Sequence, residues 1–255
     1  MGQRLAGQYA VVTGASRGLG RRLTEALISE GARVAMLART APVLEQAAAD
    51  LGDAALPVVA DLSQPADVQR AFERIAAVFG GVDILINNAA QGAPYKIEQL
   101  DAAVLQAEMG TNILAPLLCI QQAIPLMRAR GGGDIVNISS ESAARPFPFL
   151  TAYAAMKSAV ESFSRGLREE LRPDGIRVCC LRSGRMQESG FSGQWSPDQR
   201  AIYLREATAM GCYHYAGMPI PPAHTARAIV DIICLPPEAH VDFVELRSNI
   251  PHVAA

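Results

Sequence analysis

Short apolar runs alternate with longer amphipathic stretches along most of the chain, and this alternation limits the possible folds most. Helical patterns occupy residues 20–30, 65–79 and 153–171. The apolar runs typical of buried strands are YAVVT (9–13), RVAML (33–37), ALPVVA (55–60), DILIN (83–87), DIVNIS (134–139), RVCCL (177–181) and VDFVEL (241–246). Such alternation predicts an α/β fold, with a parallel sheet covered by helices on both faces. Ligands then bind beyond the carboxyl ends of the strands, so functional residues should directly follow strands.

Bulk composition fits one globular domain over residues 1–255. The chain has 255 residues, half of them apolar, and a net charge of -2, which gives no basic footprint for nucleic acid. No uninterrupted apolar run approaches the roughly 18 residues needed to span a bilayer, and the N-terminus lacks a signal-peptide core. The five cysteines show no C-x-x-C spacing and the four histidines are scattered. We expect a cytoplasmic protein without a metal site and without a nucleic-acid or membrane partner.

Residues 189–222 break the alternation, and they are rich in glycine, proline and aromatic residues. We expect this segment to be an insertion that covers the strand ends as a lid. Its aromatic residues either line an apolar substrate pocket or pack the lid onto the domain or onto another subunit. They are Phe191, Trp195, Tyr203, Tyr213 and Tyr215.

A glycine-rich turn, TGASRGLG at residues 13–20, follows the first strand and opens the first helix. Gly14, Gly18 and Gly20 permit a tight turn and close backbone approach to a diphosphate. The helix N-terminus adds free N–H groups and the positive end of its dipole. Three glycines would weaken a merely structural turn, so the pattern favours a dinucleotide site.

The end of the second strand indicates which dinucleotide binds. An NAD site usually has an acid here that holds the ribose 2′-hydroxyl. This chain instead reads LART at residues 37–40, with no acid before Glu45. Arg39 suits a 2′-phosphate, and Arg17 in the glycine turn is expected to approach the same phosphate from the other side. The residues therefore favour NADP(H) over NAD(H).

Three motifs together resemble the short-chain dehydrogenase/reductase family. They are TGASRGLG, NNAA at residues 87–90 after the fourth strand, and YAAMK at residues 153–157. They occur in the family's order and at its usual distances. The resemblance implies a single Rossmann-like domain with a doubly wound parallel sheet of about seven strands. It also implies NAD(P)-dependent hydride transfer between a carbonyl and an alcohol, and a homodimer or homotetramer.

The resemblance also implies a set of cofactor contacts. Asp61 and Leu62 would contact the adenine, and Asn88 would line the nicotinamide ribose. Gly184 and the backbone of Met186 would meet the nicotinamide carboxamide. The residues that would wrap the phosphates are Gly14, Ser16, Arg17, Gly18 and Leu19.

Four residues are candidates for the chemistry. Tyr153 and Lys157 lie four residues apart, so they share one face of a helix. Ser140 precedes Tyr153 by thirteen residues, which is the family's catalytic spacing. Tyr153 would be the general acid in reduction and the general base in oxidation, and Ser140 would position the carbonyl oxygen. Lys157 would lower the pKa of Tyr153 and hold the ribose hydroxyls, while Asn112 would link Lys157 to solvent through a water.

The segment SGRMQE at residues 183–188 departs from the family's P-G-x-x-x-T pattern. Glu188 would repel a diphosphate, so we expect its carboxylate to turn away. This departure leaves a non-catalytic, NADP(H)-binding regulator as a competing hypothesis. Within the enzyme class, an NAD-dependent alcohol dehydrogenase is the alternative. Glu141, directly after Ser140, either touches the substrate or is solvated.

Overall fold

The computed structural model describes residues 3–145 and 147–251. Its centre is a seven-stranded sheet in the order β3-β2-β1-β4-β5-β6-β7, and every neighbouring pair is parallel. This confirms the predicted Rossmann-like class, and each predicted strand agrees within two residues at either end. The strands are β1 Tyr9–Thr13, β2 Arg33–Ala38, β3 Ala55–Val59, β4 Ile84–Asn87, β5 Gly133–Ser140, β6 Ile176–Ser183 and β7 Phe243–Leu246.

Helices cover both faces of the sheet. They are α1 Gly18–Ser29, α2 Ala41–Ala49, α3 Pro65–Phe79, α4 Ala102–Met109, α5 Ala115–Arg128, α6 Thr151–Leu171, α7 Pro197–Ala209, α8 Cys212–Ala216 and α9 Pro222–Ile233. Successive residues of β1 pack into different hydrophobic cores, because side chains alternate between the two faces of a sheet. Ala10 and Val12 pack with α1 and α9, whereas Val11 packs with α3 and α5. Burial on both faces explains why the strands read as continuous apolar runs.

Helices α4 and α5 form one continuous helical stretch through a π-helical turn, Gly110–Leu114. This stretch, residues 102–128, is long and apolar enough to cross a membrane by length and composition alone. One side of α5 packs into the core through Cys119 and Ile120. Met109, Leu114 and Leu117 of the same stretch are exposed.

The sheet order reverses between β1 and β4, since β2 and β3 lie to one side of β1 and the later strands to the other. Reversal separates the loops that follow β1 and β4 and opens a crevice at the carboxyl edge. At this edge the glycine turn lies directly against the end of β4. A methyl group on Gly20 would lie 2.2 Å from the carbonyl oxygen of Gly14 and 2.7 Å from Nδ2 of Asn88. Glycine is therefore required at position 20 by packing.

Substitution of Gly20 by alanine tests this packing. We expect Gly20→Ala to lower the free energy of unfolding by about 1–3 kcal/mol, since the added methyl group overlaps backbone atoms. Gly166→Ala is the matched control, because Gly166 is an exposed residue of α6 with open space around it. That change should stabilise the protein by roughly 0.5–1 kcal/mol. Urea unfolding measures both, and equal stability of the two variants would contradict the packing argument.

Candidate active site

A continuous cleft of about 710 Å³ runs along the carboxyl edge of the sheet. Its volume lies in the range of small-molecule and cofactor sites. Most of the residues selected from the sequence line it. They are Gly14, Ser16, Arg17, Leu19, Arg39, Asp61, Leu62, Asn88, Ser140, Tyr153, Lys157, Gly184 and Met186. Gly18, Gly20 and Asn112 are not among the residues that line this cleft, and Asn112 borders a small separate cavity.

The glycine turn presents backbone to one half of the cleft. Gly14 and Gly18 both have positive φ angles, of 65° and 54°, which glycine adopts without strain. Among the described residues, no side chain caps the N-terminus of α1, and its first turn carries no acid. This end of the helix therefore offers N–H groups and a positive dipole end to an anion.

Thr13, which the sequence reasoning did not select, ties the glycine turn to β4. Its Oγ1 accepts hydrogen bonds from the backbone N–H groups of Asn88 and Ala89, each at 2.9 Å. Nδ2 of Asn88 donates to the carbonyl oxygen of Thr13 at 2.9 Å. The sequence signal that could have identified Thr13 is its position at the end of the first strand.

The two predicted phosphate arginines contact different segments. Nη2 of Arg39 lies 3.5 Å from Oε1 of Gln91. Arg17 runs beside the start of the lid, where a methyl group on Gly190 would lie 3.3 Å from Cδ and Nε of Arg17. Because Gly190 carries no side chain, it leaves room for Arg17 there. The sequence reasoning instead directs Arg17 toward the same phosphate as Arg39.

The end of the cleft that the sequence predicts for the adenine follows β3. Oδ1 of Asp61 accepts hydrogen bonds from the backbone N–H and the hydroxyl of Ser63, at 3.0 and 2.8 Å. These bonds fix the Asp61 carboxylate at the cleft wall. Leu62 is buried beside it and gives this end of the cleft an apolar surface.

Ser140, Tyr153 and Lys157 come together because α6 packs against β5 and β6. Tyr153 and Lys157 are only 8% and 3% exposed. The Tyr153 and Ser140 hydroxyls are hydrogen-bonded. Nζ of Lys157 donates to the carbonyl oxygen of Ile138 at 2.9 Å and lies 5.7 Å from the centre of the Tyr153 ring. The three side chains thus form one cluster at the floor of the cleft.

Burial dominates the protonation of this cluster. It raises the pKa of the Tyr153 phenol, and the charge of Glu108 adds to this rise, while the bond to Ser140 opposes it. Burial also lowers the pKa of Lys157 to about 8. Within the protein alone, the phenol is therefore neutral at neutral pH. The sequence predicts that Lys157 lowers the pKa of Tyr153, but among these side chains the effect of burial is larger and raises it.

Ser142 and Glu108 support the cluster, and the sequence reasoning missed both. The backbone N–H and the hydroxyl of Ser142 donate to Oγ of Ser140, at 3.2 and 3.0 Å. The buried Glu108 carboxylate accepts from the backbone N–H of Ala93 at 3.0 Å. Glu108 therefore fixes the loop after β4, which no local sequence pattern reveals.

Asn112 sits in the π-helical turn and is almost fully buried. Its Nδ2 donates to the carbonyl oxygens of Gln91 and Glu108, at 2.6 and 2.9 Å. A small cavity of about 10 Å³ borders Asn112 and Lys157. This is roughly the space of one water molecule.

The atypical segment after β6 is held by two neighbouring stretches. The backbone N–H of Gly184 donates to Leu246 at 2.8 Å, and a methyl group on Gly184 would lie 2.5 Å from Cβ of Arg247. Met186 forms a parallel bridge with Ile220 at the end of the lid. Glu188 is exposed and has a positive φ of 45°.

The aromatic residues of the lid both pack the lid onto the domain and line the cleft, the two roles that the sequence left open. Phe191 packs on Tyr153 with ring centres 4.8 Å apart, and Trp195 packs on both Phe191 and Tyr203. Nε1 of Trp195 donates to the carbonyl oxygen of Gly92 at 2.7 Å, which attaches the lid to the loop after β4. The same three lid rings line the cleft.

Glu141 is a buried acid beside this cluster, only 5% exposed. Burial raises its pKa from 4.5 to about 7. The nearby Glu245 raises it further, whereas Arg247, Arg145 and Arg185 lower it. An acid whose pKa is higher in the folded state contributes stability at low pH and loses it as pH rises from 4.5 through 7.

Glu141→Gln tests this balance, because the amide cannot ionise. Each pKa unit is worth about 1.4 kcal/mol, so the variant should gain about 2–3 kcal/mol of unfolding free energy relative to wild type between pH 5 and pH 8. Urea unfolding of both proteins across this range measures the difference. A difference independent of pH would show that Glu141 titrates as an ordinary solvated carboxylate.

Comparison with known proteins agrees with this geometry. The family model described as short chain dehydrogenase matches residues 8–200. Oxidoreductase asL5 from Sarocladium schorii is 34% identical over 179 residues, which are 70% of this chain and 72% of that protein.

Two solved structures share the fold across nearly the whole chain. A 3-ketoacyl-(acyl-carrier-protein) reductase from Brucella melitensis, complexed with NADH, has a TM-score of 0.81 and 28% identity, and the match covers 95% of this chain and 97% of that one. The L-sorbose reductase from Gluconobacter frateurii, complexed with NADPH and L-sorbose, has a TM-score of 0.82 and 27% identity, over 96% and 97% of the two chains. Since the family model matches more than half of the chain, this protein is an oxidoreductase of the short-chain dehydrogenase/reductase family.

Proposed function

We propose that the protein is an NADP(H)-dependent oxidoreductase that interconverts a ketone or aldehyde and an alcohol, with Tyr153 as the general acid and base. The observation that carries this proposal is the cluster of Ser140, Tyr153 and Lys157 in the same cleft as the glycine turn. A proton donor and an anion cradle in one cleft are the two parts that hydride-transfer chemistry requires of the protein.

The cleft suits a nicotinamide dinucleotide. The tight backbone at Gly14 and the uncapped N-terminus of α1 would hold the diphosphate. Asp61 and Leu62 would line the adenine, Asn88 the nicotinamide ribose, and Gly184 and Met186 the nicotinamide. When bound, the cofactor supplies hydride to the carbonyl carbon in reduction and accepts it from the carbinol carbon in oxidation.

The protein's own part in reduction is to deliver a proton to the developing alkoxide. Tyr153 holds that proton at neutral pH, because burial raises its pKa. Ser140 would hydrogen-bond the carbonyl oxygen, while the Lys157 ammonium stabilises the phenolate that forms. The sum of the step is carbonyl plus hydride plus proton to alcohol, after which Tyr153 regains a proton from solvent.

We propose that this returning proton passes the small cavity beside Lys157. Asn112 and Asn87 border the cavity, and Oδ1 of Asn87 is buried without a hydrogen-bond partner among the described residues. A water of this size would satisfy Asn87 and connect Lys157 with the π-helical turn.

The preference for NADP(H) rests on this chain's own residues, since the two structural relatives were crystallised with different cofactors, NADH and NADPH. Arg39 is exposed at the end of β2, with Thr40 and Val43 beside it in the cleft wall. There is no acid at this strand end to repel a 2′-phosphate.

Tyr153→Phe should remove the proton donor and leave the shape of the cleft almost unchanged. We expect kcat for carbonyl reduction to fall about 10²- to 10⁴-fold, the usual contribution of a positioned acid or base. NADPH affinity, measured by calorimetry, should stay within about threefold, since the phenyl ring preserves the packing with Phe191. Full activity of the variant would reject the mechanism. Tight NADPH binding by a wild type that turns over no ketone or alcohol would favour a regulator.

Arg39→Ala tests the cofactor preference. Loss of a charged hydrogen bond is worth about 1.5–3 kcal/mol, so NADPH affinity should fall about 10- to 100-fold while NADH affinity changes little. Arg74→Ala, an exposed arginine on α3 away from the cleft, is the control for a change of net charge. A wild type that binds NADH more tightly than NADPH would identify an NAD-dependent dehydrogenase instead.

A further inference from the structure

Two charged side chains of opposite sign line the cleft next to Ser140. Glu141 directly follows Ser140 at the end of β5, and Arg185 lies two residues beyond Ser183 at the end of β6. Ser140 and Ser183 are paired neighbours in the sheet, so the two charged residues emerge from adjacent strand ends. Both belong to the wall of the cleft.

Each of these side chains has a buried polar atom that the protein leaves unsatisfied. Oε2 of Glu141 and Nη1 of Arg185 have no hydrogen-bond partner among residues 3–145 and 147–251. Since neither atom has a partner, the two are not hydrogen-bonded to each other. Burying such atoms unpaired is unfavourable, and more so for charged groups. Native structures carry few such atoms, and these two belong to side chains that line one cleft, which favours a bound group as their partner.

The surrounding charges are already engaged, which leaves this pair to face the cleft. Arg247 lies 3.7 Å from Glu245, and Arg145 stacks over the ring of Tyr215 at 5.5 Å. The guanidinium of Arg185 lies 4.4 Å from the ring centre of Tyr213 in the lid. This stacking fixes the plane of Arg185 and leaves its edge available for hydrogen bonds.

The chemistry of the pair selects among ligand groups. A hydroxyl group donates one hydrogen bond and accepts others, so a single hydroxyl oxygen can satisfy both Glu141 and Arg185. A carboxylate would accept from Arg185, but it would be repelled by the ionised form of Glu141. An ammonium group would donate to Glu141, but it would be repelled by the positive charge of Arg185.

We propose that Glu141 and Arg185 bind a hydroxyl group on the carbon next to the reacting carbonyl, so that the substrates are hydroxy ketones or hydroxy aldehydes with an apolar or aromatic body. This inference rests on the proposed function, because Ser140 is taken to hold the carbonyl oxygen. Glu141 follows Ser140 directly in the chain and lines the same cleft, so it is the acid expected next to that carbonyl. Phe147, Tyr203 and Tyr213 line the same cleft and provide the surface for the apolar body.

Three probes with the same phenyl ring test the proposal. Acetophenone, 2-hydroxyacetophenone and phenylglyoxylate differ in having a methyl, a hydroxymethyl or a carboxylate group beside the carbonyl. With NADPH, wild-type kcat/KM should be at least tenfold higher for 2-hydroxyacetophenone than for acetophenone. In Glu141→Met and in Arg185→Met this ratio should fall about tenfold. The double variant should lose little more than either single variant, since both residues bind one hydroxyl group.

Glu73→Met and Arg74→Met remove the same charges from the exposed face of α3 and should leave the ratio as in the wild type. The proposal is overturned if the wild type shows no preference for 2-hydroxyacetophenone, or if the ratio survives in both cleft variants. A preference for phenylglyoxylate that Arg185→Met abolishes would overturn it in favour of a carboxylate site.

A binding experiment separates this inference from the proposed function. If no probe is reduced with NADPH or NADH, the proposed function fails, and calorimetry on the protein with NADP⁺ decides the inference alone. 1-Phenylethane-1,2-diol should bind at least tenfold more tightly than 1-phenylethanol, and the two cleft variants should lose that difference. Equal binding of the two alcohols, or binding of neither, overturns the inference.

Discussion

The close packing of the glycine turn against the end of β4 is the constraint on which the rest of the site depends. Gly20 leaves no room for a side chain next to the Gly14 carbonyl. Thr13 and Asn88 exchange hydrogen bonds across the same contact. Since β1 and β4 flank the point where the strand order reverses, these contacts fix the distance between the two halves of the cleft. The anion cradle on one side and the Tyr153 cluster on the other are therefore held in one geometry by backbone atoms and short side chains.

Burial of Tyr153 and Lys157 has opposite consequences for the two directions of reaction. The packing of α6 on β5 and β6 removes both side chains from water and favours their neutral forms. A neutral phenol is the form needed to give up a proton in reduction. Oxidation needs the phenolate, which requires positive charge close to the ring. Lys157 lies near enough to contribute, but within the protein its ammonium bonds the Ile138 carbonyl and is itself weakened by burial. Under the proposed mechanism, the protein side of the cluster is thus better matched to reduction.

The fold could be predicted from the sequence because its signals are local. A strand that is buried on both faces is a continuous apolar run, as β1, β2 and β4 are. The glycine turn and the Tyr153–Lys157 pair are also short motifs within single elements. The contacts of Glu108 with Ala93 and of Trp195 with Gly92 join residues 15 and 103 positions apart. No local pattern reports such contacts, because they depend on how separate elements pack.

Arg17 and Arg185 show that the sequence also does not predict the direction of long charged side chains. The sequence places each of them on the backbone correctly, but a long flexible side chain takes its direction from its neighbours. Arg17 runs along the lid because Gly190 leaves space beside it, and Arg185 turns onto Tyr213. The unpaired atoms of Glu141 and Arg185 could not be predicted from the sequence, because their proximity depends on the pairing of β5 with β6.

The proposed site divides substrate recognition between two parts of the structure with different rigidity. Glu141 and Arg185 extend from paired strand ends, where the sheet fixes the backbone. The apolar wall comes largely from lid rings that pack on one another, Phe191 on Trp195 and Trp195 on Tyr203. A change in the lid should therefore alter which apolar body is accepted, whereas a change at a strand end should alter recognition of the hydroxyl group. Tyr213 joins the two parts, because it belongs to the lid and orients Arg185. In the proposed site, a shift of the lid would therefore also move Arg185.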